Sequence, residues 1–339
     1  MRICLHIDKS LELLTTVAPS EPILAEGGRS WNGMEDYDLP RKLLEHLQHT
    51  GLDKGNRGEL VALVILTAAC DHAWRKKTAA RAYKLLDFFE SLFPKIEYQK
   101  ISDAQPHKFQ PNYQGQKFSA TFANAKIYFN HFIKVNDYKV ISRKYLWMLM
   151  ARGAAVLCAD NQRGFDIIIP FLVYASHLGR STISAIVIQV KNDATFTQEP
   201  KRYLFDAMNP FSIGFFDQAE ENTLPVIRMV FALASPNPAV HVVNDDEKRR
   251  SARLEANREP DRFTAYDIWC AQASHAAFSV IKSEDEGIYG HLMRLSKEFP
   301  RAYEPYSKIN EAATLRRMMN PGTASDLAHW SQFCDEGAL

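Results

Sequence analysis

Gly153 to Lys191 reads GAAVLCADNQRGFDIIIPFLVYASHLGRSTISAIVIQVK, and the fold turns on this stretch. Two short apolar runs, Ala154 to Ala159 and Phe165 to Val173, flank Asp160-Asn161-Gln162-Arg163-Gly164, a polar link of the kind that joins hairpin strands. A second loop, Ser176 to Ser181, leads into Thr182 to Lys191, where Ile183, Ala185, Val187 and two further isoleucines favour a strand. Three strands in series are expected. Polar residues interrupt them at Asp166, just after Gly164, and at Gln189 and Lys191, which close the third strand. Residues two apart on a strand face one side, so Gln189 and Lys191 project together while Val190 points away and its carbonyl stays near them. Burying an acid and an ammonium is costly unless they pair or bind an ion. The bland alternative is an exposed strand end with a structural salt bridge.

Outward from this stretch, Glu59 to Trp74 is apolar on nearly every side and predicts a buried helix. A second helix is expected over Ala79 to Phe93, stopping at Pro94. Arg41 to His49 predicts a short helix after an irregular arm, Lys95 to Asn124 reads as polar and loop-like, and Ala125 to Phe132 and Arg143 to Met150 look helical or mixed. Downstream, Arg202 to Met208 predicts a helix and Val226 to Ala234 a fourth buried strand. Ala265 to Val280 and Tyr289 to Phe299 read as helices. The order is a buried helix, three strands, a helix and a strand. This gives an α/β or α+β protein on a mixed central sheet. The expected division is an N-terminal arm and short helix over 1–50, a core over 51–240 and a C-terminal helical extension over 241–339.

The 339 residues carry 41 Lys+Arg against 40 Asp+Glu, so net charge supplies no global footprint for nucleic acid, and any such binding must come from a local cluster. Lys248-Arg249-Arg250 lies among interspersed charges of both signs and reads more naturally as a solvated segment. No apolar run approaches the roughly 20 residues that span a bilayer. The first nine residues contain charges that interrupt a secretory h-region, so no secretory signal is expected. The five cysteines are scattered and never form C-x-x-C, which points to reduced thiols in an intracellular setting, nuclear or cytoplasmic. Phosphate-cradling glycine loops, the G-x-S-x-G elbow and H-E-x-x-H are all missing, while His131, His177 and His275 stand far apart.

Gly164-Phe165-Asp166 followed by Ile188-Gln189-Val190-Lys191 resembles the PD-(D/E)XK nuclease superfamily, the restriction-endonuclease-like fold, in its variant with Gln for the first acid of the E-x-K element. Asn56-Arg57-Gly58-Glu59-Leu60 is similar to that superfamily's first helix, and the element order is that of its core. The wording of Ala151-Arg152-Gly153-Ala154 to Asp166 further resembles fungal expanded proteins related to the nuclease domains of Crinkler-type effectors. The resemblance covers about residues 55 to 235. Phe165 stands where the motif's Pro would be, and Gln189 removes one negative charge.

The resemblance implies a metal-dependent nuclease hydrolysing phosphodiester bonds of DNA, or RNA, with Glu59, Asp166, Gln189 and Lys191 as its catalytic set. Magnesium, or manganese, would be held by Asp166, the Val190 carbonyl and the Gln189 oxygen, with Glu59 holding one of its waters. Lys191 would orient the attacking water, and Arg57, Arg163 and Arg180 would contact phosphates. The partner implied is nucleic acid, DNA before RNA, with no membrane, and a homodimer or further domains remain open. One rival is a catalytically degenerate module of the same fold that binds nucleic acid or protein. The other is an unrelated α/β enzyme with a pocket away from Asp166.

Overall fold

The computed structural model describes residues 3–7, 14–17, 38–47, 54–75, 82–135, 141–159, 164–174, 177–243 and 261–293. Its strands are β1 (Ile3–Ile7), β2 (Leu14–Val17), β3 (Tyr83–Lys84), β4 (Lys126–Ile127), β5 (His131–Lys134), β6 (Ala154–Leu157), β7 (Ile167–Leu172), β8 (Ile183–Lys191), β9 (Val226–Ala232), β10 (Ala239–Val242) and β11 (Ala265–Ala271). The α-helices are α1 (Leu39–Leu47), α2 (Lys54–Arg75), α3 (Leu85–Leu92), α4 (Lys95–Ser102), α5 (Phe118–Thr121), α6 (Arg143–Ala151) and α7 (Arg202–Ala207). Residues 286–293 are also helical. No helix among the described residues is long and apolar enough to cross a membrane.

Nine strands form one mixed sheet in the order β10-β11-β9-β8-β7-β4-β3, with β6 pairing both β7 and β5. The β7–β8 hairpin is antiparallel, with Ile167 opposite Ile188 and Leu172 opposite Ile183. Beyond it β8, β9 and β11 run parallel. On its other edge β7 is shared, its first two residues pairing with β6 and its last two with β4. The sheet therefore curls at β7, where one strand serves two short neighbours.

Both faces of the sheet are covered, which explains why β8 and β9 read as continuous apolar runs rather than alternating ones. Ile186, Ile188 and Val190 of β8 pack with Val61 and Ile65 of α2 and with Phe88 and Phe89 of α3. Ala185 and Val187 face the other way, toward Leu146 and Met150 of α6 and Leu204 and Phe205 of α7. The protein is thus a mixed α/β structure with helices on both sides of its central sheet.

Several elements differ from the sequence expectation. Residues 265–271 form strand β11 rather than the start of a helix, because a strand buried on both faces loses the alternation that distinguishes it from a helix. With β10, it carries the sheet past position 240. The segment read as helical or mixed around 125–132 holds β4 and part of β5, too short for any period to show. The stretch read as loop-like over 95–124 contains α4 and α5, and the arm over 1–39 contains the antiparallel pair β1–β2. The basic run at 248–250 lies outside the described residues, as does the part of the last expected helix beyond 293.

Candidate functional site

Asp166 occupies a bend at the entrance to β7. Its N–H donates to the Ile188 carbonyl at 2.8 Å, while its own carbonyl accepts from the Cys158 N–H at 2.8 Å. A regular strand residue turns both groups to one neighbour, so this split between two neighbours marks a local twist. Gly164 permits the approach. It has φ +100°, and a Cβ there would lie 2.5 Å from the Ala207 carbonyl oxygen at the end of α7. With the backbone so turned, the Asp166 carboxylate reaches β8, and its Oδ2 accepts the Val190 N–H at 2.6 Å. The side chain thus replaces the strand partner that Val190 lacks once β7 has ended. Burial pushes the Asp166 carboxyl above the usual carboxylate range, opposed by the Val190 N–H and by the charges of Lys191 and Lys134.

Gln189 and Lys191 flank Val190. Both fall on the α6–α7 side of β8 by strand parity, as expected from the sequence. Gln189 is 7% exposed, and its Oε1 is buried with no hydrogen-bond partner. Such an acceptor carries a desolvation cost of about 1–3 kcal/mol with nothing to offset it. Lys191 is half-buried with its Nζ 6.0 Å from the centre of the Phe196 ring. Because a strand residue directs N–H and C=O to the same side, the Val190 carbonyl also faces the β7 edge beside Asp166. The end of β8 thus carries a buried amide oxygen at Gln189, a Val190 N–H bonded to the Asp166 carboxylate, and an ammonium at Lys191 whose charge acts on that carboxylate.

Glu59 comes from the first turns of α2, the helix that packs against the even-numbered side chains of β8. Glu59 and Asp166 both bear on Cys158: burial pushes that thiol up, and the charges of Asp166 and Glu59 push it further against an opposing pull from Lys134. Burial thus favours the neutral thiol. Among the described residues no three His, Cys, Asp or Glu side chains cluster closely enough to hold an ion by themselves. A cation here would have to use the amide and main-chain oxygens as well.

The arginines separate. Arg57 is 3% exposed at the start of α2, and Arg163 lies outside the described residues. Arg180 does not belong to this corner: it sits in the turn joining β7 to β8, while Asp166 and Lys191 lie at the open end of the same hairpin, about 26 Å away at roughly 3.3 Å per residue. Adjacency to Ile183 in sequence misled because a hairpin sends its turn and its ends in opposite directions. Lys134, whose charge reaches Asp166 from the end of β5, and Cys158 were not singled out by sequence reasoning. Lys134 carries no sequence signal because the four residues of β5 show no readable period, and Cys158 reads as one more apolar residue of the run over 154–159.

Two other polar places provide contrast. Arg228 of β9 and Asp267 of β11 are opposed in register and wholly buried. The guanidinium donates Nε to Oδ1 at 2.7 Å, Nη2 to Oδ2 at 2.6 Å and Nη1 to the Phe205 carbonyl at 2.6 Å, so the pair is closed on itself. A cleft of about 560 Å³ lined by Gln110, Glu220, Asp261 and Arg262 lies near the starts of β9 and β11, at the opposite end of the parallel strands from Lys191. Its buried Gln110 is fully used, donating to the Glu221 and Arg262 carbonyls and accepting from Thr223. Only the Asp166 corner combines ionisable groups with an unused buried oxygen among these three places.

A family model described as a domain of unknown function, DUF8736, matches residues 1–234, more than half of the chain, and the chain belongs to that family. The matched span includes Glu59, Asp166, Gln189 and Lys191. No curated protein and no solved structure matches the chain.

Proposed function

We propose that the chain is a divalent-metal-dependent phosphodiester hydrolase acting on nucleic acid, with Asp166, Gln189, Lys191 and Glu59 as its working residues, on a core related to the PD-(D/E)XK nucleases. The observation that carries this reading is the buried Gln189 Oε1 without a partner, on the residue next to the Val190 whose N–H holds the Asp166 carboxylate. The order α2, β6, β7, β8, α7, β9, with β8 central, also supports it.

The donor set suits a hard cation such as magnesium, which takes oxygen ligands and keeps several waters. Asp166 would contribute a carboxylate oxygen, Gln189 its Oε1 and Val190 its carbonyl, with Glu59 holding a water from the α2 side. When bound, the ion would supply Lewis acidity toward a phosphoryl oxygen and toward water. Asp166 needs no reorganisation for its part, because the Val190 N–H already fixes its orientation. Lys191, its Nζ 6.0 Å from the centre of the Phe196 ring, offsets phosphate charge and orients the attacking water. DNA is the first substrate to test, then RNA.

The test is cleavage of plasmid and single-stranded DNA and RNA by wild type, Asp166→Ala and Lys191→Ala across a magnesium and manganese series. The reading expects metal-dependent cleavage by wild type and its loss, at least about 100-fold, in each variant. A neutral Gln189 favours a second reading, a nucleic-acid-binding module of the same fold. Binding by wild type without cleavage under any divalent ion would establish that reading instead.

A further inference from the structure

The strand that carries Gln189 and Lys191 does not simply end. Asn192, the next residue, is 7% exposed and donates its Nδ2 to the carbonyl of Lys54, the first residue of α2, at 2.8 Å. Asp193 follows and pairs with the Lys54 ammonium, which holds the Asp193 carboxyl well below the usual carboxylate range. The helix approaches this exit more closely than a side chain permits. At Gly58, a Cβ would lie 2.8 Å from the Asn192 Cβ and 3.3 Å from the Val190 Cγ1. Two contacts at Lys54 and the close approach at Gly58 therefore fasten the first five residues of α2 to the two residues that follow Lys191.

We propose that Asn192 is a positioning residue, which with Gly58 seats the first turn of α2 on the end of β8 and so sets where Glu59 stands relative to Asp166 and Lys191. This rests on the metal-dependent reading above and adds to it a part that neither the resemblance nor the family assigns. Glu59 follows Gly58 directly, and Asn192 follows Lys191 directly. The clasp thus ties together the backbone positions next to two working residues that are 132 positions apart in sequence. Glu59 follows Gly58 in the same turn of the helix, so lifting the start of α2 displaces Glu59 with it. Displacements of about 1 Å at a reacting centre can cost 100-fold in rate.

Gly58→Ala tests this, because alanine favours the helix itself while placing a methyl group where Asn192 stands. The readouts are the magnesium chloride concentration for half of the metal-induced rise in melting temperature, kcat and KM for cleavage, and amide exchange over residues 55–60. The expected result is a metal-free melting temperature near that of wild type, a magnesium midpoint raised about tenfold, kcat lowered at least tenfold with KM within about twofold, and faster exchange over 55–60. Faster exchange with an unchanged magnesium midpoint and unchanged kcat would overturn the proposal, since the helix would then loosen without consequence for the site. If Gly58→Ala fails to fold, Asn192→Ala carries the same readouts and expectations without adding an atom. A wild type that neither responds to magnesium nor cleaves would remove the metal-dependent reading itself, and the proposal with it.

Discussion

Two ionic places share one face of one sheet and solve the cost of burial in opposite ways. Arg228 and Asp267 meet on adjacent strands with no exposed surface, and the guanidinium spends its remaining donor on the Phe205 carbonyl. At the exit of β8, Asp166 has one hydrogen bond to a backbone N–H, Gln189 keeps an unused oxygen, and Lys191 stays half-buried without closing on either. The first arrangement completes itself from within the chain. The second leaves one buried acceptor unused, a feature that the metal-dependent reading proposed above puts to work. Charge and burial alone would not have separated them. The distinction lies in which lone pairs remain.

The largest effect is expected at the closed pair. Asp267→Ala leaves Arg228 charged and unpaired in the core and should cost about 3–5 kcal/mol in urea denaturation. Arg228→Met combined with Asp267→Leu should recover most of that loss, because the pair's own net contribution is small. A single variant costing under about 1 kcal/mol would contradict the account of this pair.

At the open corner the same operation should have the opposite sign. Gln189→Met replaces an unsatisfied buried oxygen by an apolar side chain of similar length, and should raise metal-free stability by about 1–2 kcal/mol while removing the response to magnesium. A loss of stability would mean that Gln189 contributes to folding in a way its unpaired oxygen does not show.

Asp166 gives a smaller effect that depends on pH. Its carboxyl titrates at higher pH folded than unfolded, because burial penalises the charged form. Above the unfolded pKa the unfolded chain holds fewer protons, so stability from this group is fully present below that value and is lost as pH rises through the folded value. Asp166→Asn keeps an acceptor for the Val190 N–H without the charge. Relative to wild type it should therefore gain stability as pH rises from the acid side toward neutrality. Urea denaturation of both proteins over that range checks it, and a gap that widens toward acid would contradict the assigned cause.

Much of the open corner was legible in the sequence. Asp166, Gln189 and Lys191 sit on consecutive strands where apolar runs make each polar interruption visible, and strand parity alone places Gln189 with Lys191. The closed pair was not legible, because Asp267 lies in a both-faces-buried strand whose unbroken apolar pattern reads equally well as a helix. Lys134 escaped for a related reason, since four residues of β5 carry no period. Arg180 was misplaced because neighbours in sequence across a strand's first residue are distant from its last. The clasp between Asn192 and α2 depends on where a helix lands on a sheet, which no local pattern encodes.

The most direct test of the central claim, that the unused oxygen at the end of β8 is there for a cation, is a magnesium titration followed by melting temperature for wild type and Gln189→Met. The account predicts that wild type starts lower, rises with magnesium and saturates, while the variant starts higher and stays flat. A wild type indifferent to magnesium, or two proteins that rise alike, would contradict it.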